Sequence, residues 1–116
     1  MSMSLQQTRD LLLAYVHASR TQGDTAAFFN DTVVSTIMNT GEEARGRTAV
    51  THQIRALQRR ASDLIPKRAI FEEGQAAVEI TFVTQDGCSI PYSVIYDCSE
   101  GQITAIRFYF AGTLPI

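Results

Sequence analysis

Between Gln75 and Ala111 the chain alternates apolar and polar residues through three long runs, broken at Asp86-Gly87 and Glu100-Gly101. A pattern of period two punctuated by tight turns predicts consecutive antiparallel strands. Side chains alternate across a strand, so the length of each turn also dictates which residues share a face. Asp86-Gly87 suits a two-residue type I′ turn, in which both central residues take positive φ. That turn sets Phe82 opposite Pro91, Ile80 opposite Ser93 and Val78 opposite Ile95. Reading Glu100-Gly101 the same way sets Ile95 opposite Ile106, Ser93 opposite Phe108 and Pro91 opposite Phe110. Both hairpins then give one inner face: Val78, Ile80, Phe82, Ser93, Ile95, Ile106, Phe108 and Phe110.

The opposite face carries Glu79, Thr81, Val83, Ile90, Tyr92, Val94, Tyr96, Ile103, Ala105, Arg107 and Tyr109, which is too apolar for a solvated sheet. Tyrosines, an arginine and aliphatics match the composition of interface cores. The expected cover is a second copy of the chain packed symmetrically on Glu79, Tyr92, Val94, Tyr96, Arg107 and Tyr109, with Glu79 and Arg107 approaching across Val94. A merely apolar outer surface is the alternative.

Helices precede the strands. Ser4 followed three residues later by Gln7 is a capping-box pattern, and Leu5, Thr8, Leu12, Tyr15, Val16 and Ser19 then recur on one helical face up to a stop at Gly23. Asp24 is placed to cap a second, short helix through Phe29. The β-branched run of residues 32–39 predicts a strand ended by Gly41. A third helix is expected over 48–62, with Val50, Ile54, Leu57 and Ala61 on one face and His52, Arg55 and Arg59 on the other. Pro66 marks the break into a further strand, which runs to Glu72 before a turn at Glu73-Gly74.

At 116 residues and 45% hydrophobic content, one α+β domain over 1–116 is expected. The N-terminal residues lack an apolar signal region, and Leu11-Leu12-Leu13 is too short to span a membrane, so a soluble cytoplasmic protein without membrane contact is the expectation. Cys88 and Cys98 fall at opposite ends of one strand, about 33 Å apart, and read as reduced thiols rather than a disulfide. His17 and His52 lie on polar helix faces without a carboxylate at ligand spacing, so no metal is expected. Asp31 is placed to close the turn into the first strand, and Asp97 to sit beside the turn at residues 99–101. The net charge is −2, yet seven of the ten basic residues lie between Arg45 and Arg68 with Asp63 as the one acid among them. This local basic field suits an anionic ligand or partner at the third helix; without aromatic interleaving, nucleic acid is disfavoured.

The order of a helix, Gly23-Asp24, Phe28-Phe29-Asn30-Asp31, a strand, Gly46-Arg47, then hairpins ending in Ile106-Arg107-Phe108-Tyr109 resembles the nuclear transport factor 2-like superfamily, whose small members include SnoaL-like polyketide cyclases and ketosteroid isomerase. The resemblance implies a cystatin-like cone of curved antiparallel sheet closed by about three N-terminal helices, usually dimeric. In the isomerase, a general-base aspartate faces a tyrosine and a protonated aspartic acid in an apolar cavity. Carried onto this chain, the base falls near Thr36 and the protonated acid at Ser93, neither a carboxylate. The first-helix tyrosine falls at Tyr15 or, counted back from Gly23-Asp24, at Val16; the third-helix tyrosine becomes Ile54, and the acidic residue of an Ile-Arg-Glu-Tyr run becomes Phe108.

The resulting expectation is a mostly apolar pocket lined by Tyr15, Val34, Thr36, Met38, Ile54, Phe82, Ser93, Ile95, Phe108 and Phe110, binding a small hydrophobic molecule without a cofactor. Catalysis, if present, would be a metal-independent isomerisation, cyclisation or dehydration with Tyr15 as proton donor. The competing reading is a non-catalytic dimeric interaction module that works through the outer sheet face.

Overall fold

The computed structural model describes residues 3–111. Its elements are α1 (Leu5–Arg20), a 3-10 turn (Ala26–Phe28), β1 (Phe29–Ile37), β2 (Glu42–Arg45), α2 (Arg47–Arg60), β3 (Ala61–Glu72), β4 (Gln75–Thr84), β5 (Ser89–Ser99) and β6 (Gln102–Phe110). The strands form one sheet in the order β2-β1-β6-β5-β4-β3. β1 and β6 pair in parallel and the other neighbours are antiparallel.

The capping box is present at α1: Ser4 Oγ accepts from the Gln7 amide at 3.1 Å and Gln7 Oε1 accepts from the Ser4 amide at 2.9 Å. The helix ends at Arg20, and the Gly23 amide donates to the Ala18 carbonyl at 2.8 Å. Asp24 accepts from the Ala26 amide at 3.0 Å in a local turn, but the N-cap position is Thr25, which makes no side-chain cap bond, and the segment that follows is a single 3-10 turn rather than a helix. The described residues therefore form two α-helices where the sequence predicts about three. α2 points Val50, Ile54 and Leu57 to the core and leaves His52, Arg55 and Arg59 exposed. Ser35, fully buried on β1, donates to the Gln53 carboxamide and ties this helix to the sheet.

Pro66 does not break β3, which starts five residues earlier at Ala61. β3 is an edge strand, where a missing amide leaves no ladder bond unmade, and its register shifts between Pro66 and Arg68. Proline, bulges and the charges of Lys67 and Arg68 together hinder further pairing at this edge. β2 has no counterpart in the sequence reading: its residues are Glu-Glu-Ala-Arg, a polar edge strand without alternation.

The main departure from the sequence reading is strand phase. Gln85, Asp86 and Gly87 form a three-residue loop closed by hydrogen bonds from the Thr84 amide to the Cys88 carbonyl, at 2.8 Å, and from the Gly87 amide to the Thr84 carbonyl, at 3.0 Å. Only Gly87, with φ 88°, takes the left-handed conformation there, and the Thr84 hydroxyl donates to Asp86 while accepting from the Cys88 amide. The extra residue shifts β5 by one, so Phe82 faces Ile90, Ile80 faces Tyr92 and Val78 faces Val94. At the next hairpin Glu100 (φ 52°) and Gly101 (φ 80°) make the expected two-residue turn. Thr104 is then an extra residue between the pairs Cys98–Ile103 and Asp97–Ala105. This bulge restores the expected phase of β6.

Two inner rows illustrate the result: Ala76, Tyr96, Ile106 and Ser35 side by side across four strands, and Val78, Val94, Phe108 and Ile37 beside them. Tyr92, Val94 and Tyr96 are thus core residues, not outer-face ones, and Ser93 and Ile95 face outward. β1 is also reversed, with Val33, Ser35 and Ile37 fully or almost fully buried and Val34 and Thr36 on the other face.

Candidate functional site

The helices close over the inner face, and the largest aromatic residues meet beneath them. Tyr15 projects from α1, its ring 5.5 Å from that of Tyr96 and 5.6 Å from that of Phe29, while Tyr92 stacks on Phe110 at 4.9 Å. Tyr15, Tyr92 and Tyr96 border one cavity together with Ser19, Gln58 and the apolar side chains of Val16, Ile54, Leu57, Leu64, Ile80 and Phe108. Its volume is about 30 Å³. That is room for roughly one water molecule.

Of the expected lining residues, Tyr15, Ile54 and Phe108 border this cavity. Phe82 and Phe110 are buried beside it as ring neighbours of Tyr92. Val34, Thr36, Ser93 and Ile95 lie on the opposite face of the sheet, and Met38 is 44% exposed past the end of β1. The positions to which the isomerase's base and protonated acid map thus point away from the cavity. Of the expected interface residues, Glu79, Arg107 and Tyr109 stay on the outer face, whereas Tyr92, Val94 and Tyr96 lie inside. Glu79 and Arg107 do not pair. Arg107 binds Asp97 at 2.9 Å, and Glu79 sits 3.6 Å from Arg68, because the shift of β5 places Asp97 on the outer face near Arg107.

The cavity is chemically narrow. Among the described residues that border it, the titratable groups are three phenols, with no carboxylate, imidazole or amine. Burial pushes the ionisation of all three phenols well above the usual tyrosine range, with Ser19 offsetting part of the rise at Tyr15. They are neutral hydrogen-bond donors at physiological pH. Ser19 Oγ is itself buried and reaches full hydrogen-bonding geometry with no described group. Cys98, buried on the same strand, has its thiol raised to about 12 by burial and by neighbouring Asp97, so it is an inert core thiol.

Val16 borders a second space as well, an open cleft of about 340 Å³ between α1 and β3. Leu12, Leu13, Phe71 and Val78 supply its apolar surface, and His17, Arg20, Lys67 and Arg68 its polar rim. Tyr92 and Tyr96 are cavity residues that the turn-based reading of the sequence misses. Two signals in the sequence point to them: the Thr84-x-Asp86 spacing that builds the longer loop, and the greater apolarity of residues 92, 94, 96 and 98 over 93, 95, 97 and 99.

The other singled-out residues occupy local structural roles. Asp31 is exposed and pairs with Arg47 at 2.9 Å, while Asn30 closes the turn by accepting from the Thr32 amide at 2.9 Å. His17 and His52 are exposed. No group of three potential metal ligands occurs among the described residues, and no described helix is long and apolar enough to cross a membrane.

No family model and no curated protein matches the sequence. Solved structures do match the fold. An NTF2-like protein of unknown function from Mesorhizobium loti superposes with a TM-score of 0.86 at 14% identity, covering 93% of each chain. A de novo designed protein with a curved β-sheet gives 0.84 at 19% identity over 95% of this chain and 89% of that one. A protein with a ketosteroid isomerase-like fold from Catenulispora acidiphila, in complex with trimethylamine, gives 0.75 at 11% identity over 90% and 88%. Identities this low speak to architecture and not to activity, a point the designed protein makes directly. The chain has the nuclear transport factor 2-like fold, as the sequence resemblance implies.

Proposed function

We propose that the protein binds a small, uncharged, mainly apolar molecule beneath α1, and that it does so without general-base chemistry. The observation that carries this reading is the convergence of Tyr15, Tyr92 and Tyr96 on one cavity, with the Ser19 hydroxyl beside Tyr15. Neutral phenols that converge on one space favour a guest that accepts a hydrogen bond, such as a carbonyl or hydroxyl oxygen. The aromatic rings supply contact area for its apolar body. Isomerisation or cyclisation by proton abstraction needs a base within reach of the substrate, and among the described residues the cavity is bordered by neutral phenols, Ser19 and Gln58. Burial makes the three phenols weaker acids than a free tyrosine, so their part is to donate a hydrogen bond to a bound oxygen rather than to transfer a proton.

A cavity of about 30 Å³ admits such a molecule only by joining the larger cleft, and Val16 is the side chain common to both. Displacing Val16 connects the two spaces. Thermal-shift screening of small cyclic ketones and alcohols tests this directly, since a ligand that binds only the folded state raises Tm. Val16→Ala is expected to enlarge the shift and Tyr15→Phe to reduce it. Silence from wild type and Val16→Ala alike across a varied set would refute binding.

A second reading is self-association through the outer sheet face. It is supported by Ile70, 64% exposed, which lies in one row with Ala77, Ile95 and Arg107, and by Tyr109, 40% exposed, in the next row. With Tyr92, Val94 and Tyr96 turned inward this face is more polar than the sequence reading implies. A dimer that dissociates in the Ile70→Glu variant supports the reading, and a monomeric wild type at micromolar concentration rules it out.

A further inference from the structure

α2 turns one stripe to the sheet and a second, basic stripe outward. From Arg47 to Arg60 the helix holds four arginines, one histidine and no acidic residue. Arg47, Thr48, Thr51, His52, Arg55 and Arg59 fall within about 140° of helical arc. They line a surface groove of about 290 Å³ that reaches the 3-10 turn only at Ala26.

The ion pairs show which charges are already answered. Arg45 pairs with Glu43 at 2.9 Å, Arg47 with Asp31 at 2.9 Å and Arg68 with Glu79 at 3.6 Å. Arg55 and Arg59 have no acidic partner among the described residues. The helix C-terminus favours the charges of Arg59 and Arg60 without engaging either guanidinium in a hydrogen bond among the described residues, and it does nothing for Arg55 in mid-helix. Thr51 Oγ1, also in the groove, is buried without a hydrogen-bond partner. At the other end no side chain caps the helix at Gly46 and no acid occupies its first turn. No aromatic side chain borders the groove, so a nucleobase has nothing to stack on.

We propose that this groove binds a small polyanion, a molecule carrying a diphosphate or two adjacent phosphate groups. Arg55 and Arg59, about 6 Å apart along the helix axis, grip the two ends, and Thr48 and Thr51 donate from the same face. The groove specifies the anionic part and leaves the attached organic group outside.

Inorganic pyrophosphate is the direct probe, titrated calorimetrically at low ionic strength and followed by amide chemical shifts. The expected result is saturable binding at one site per chain, with shifts confined to 47–59 and weaker binding of orthophosphate. Arg55→Ala/Arg59→Ala should weaken pyrophosphate at least about tenfold. Arg60→Ala, which removes a charge from the same helix but outside the groove, should change it by less than about twofold. All three substituted positions are exposed, so circular dichroism should stay unchanged. Non-saturating binding, or equal losses in the Arg60 variant and the double variant, would overturn the site in favour of a diffuse basic field. Tighter binding of RNA or DNA that grows with strand length would overturn it in favour of a nucleic-acid surface.

Discussion

The hairpins on either side of β5 look alike in sequence, each with an acidic residue followed by glycine, yet they close differently. Glu100-Gly101 forms a two-residue turn with both residues at positive φ. Asp86-Gly87 belongs to a three-residue loop in which only the glycine does so, because Thr84 offers its hydroxyl to Asp86 and to the Cys88 amide. One residue of loop length reverses a whole strand. The bulge at Thr104 then cancels the shift for β6, so β4 and β6 keep their expected faces while β5 between them does not. A turn dipeptide alone does not determine register; the residue before it and the apolar balance of the strand after it must agree.

Shortening the first loop should erase the difference between the two hairpins, at the largest cost. Deleting Gln85 leaves the two-residue turn that the dipeptide favours and drives Tyr92, Val94 and Tyr96 toward solvent. Losing the burial of three large side chains removes roughly 5–9 kcal/mol, comparable with the whole stability of a small domain. The variant is expected to lose its cooperative denaturant transition.

Next in size is the contrast between adjacent β5 residues. Tyr96→Ala should cost about 3–5 kcal/mol, whereas Ile95→Ala, on the outer face, should cost about 1 kcal/mol or less. Urea unfolding of the two variants measures the difference. Equal costs would mean that both faces of β5 are equally buried, as in an obligate dimer.

Glycine substitutions probe the turns themselves. Gly87→Ala and Gly101→Ala meet no atom within 4 Å, so the only penalty is positive φ, about 1–2 kcal/mol each. Gly74, φ 79°, closes the β3–β4 turn, and an added Cβ there would stand 3.2 Å from the Cys98 carbonyl. Gly74→Ala should therefore destabilise more than either of the others in a thermal melt.

The remaining contrast is electrostatic and has opposite signs on the two faces. Inside, burial raises the three phenols above their unfolded value of about 10, so their contribution is intact below pH 10 and is lost as pH rises through the folded values. Their ionisation, read by ultraviolet absorbance, should coincide with alkaline unfolding. Outside, partial burial works to raise the Asp97 carboxyl, but hydrogen bonds from Arg107 and Gln75 outweigh it and hold the group below the usual range. That contribution is present above about pH 4 and is lost as pH falls through the depressed value. The pair is partly exposed, so Asp97→Asn should cost less than about 1 kcal/mol at neutral pH.

Much of the architecture is legible without coordinates. The Ser4–Gln7 box, the apolar stripe of α2, the turns at Gly74 and Gly101 and the inward faces of β4 and β6 follow from local chemistry. β2 is invisible because a four-residue edge strand that turns only Ala44 toward the core has no alternation to read. The phase of β1 is hidden for a different reason: Val33, Ser35 and Ile37 are no more apolar than Val34, Thr36 and Met38, and only packing under α2 decides between them. The cavity suffers most, since two of its three phenols come from β5, the strand whose phase depends on one loop residue.

Nuclear Overhauser contacts from the Tyr15 ring give the sharpest check on the phase of β5. Cross-peaks are expected from Tyr15 to the ring of Tyr96, whose centroid lies 5.5 Å away, and none to Ser93 or Ile95. Contacts from Tyr15 to Ile95, with Tyr96 silent, would return β5 to the opposite phase and dissolve the phenolic cavity.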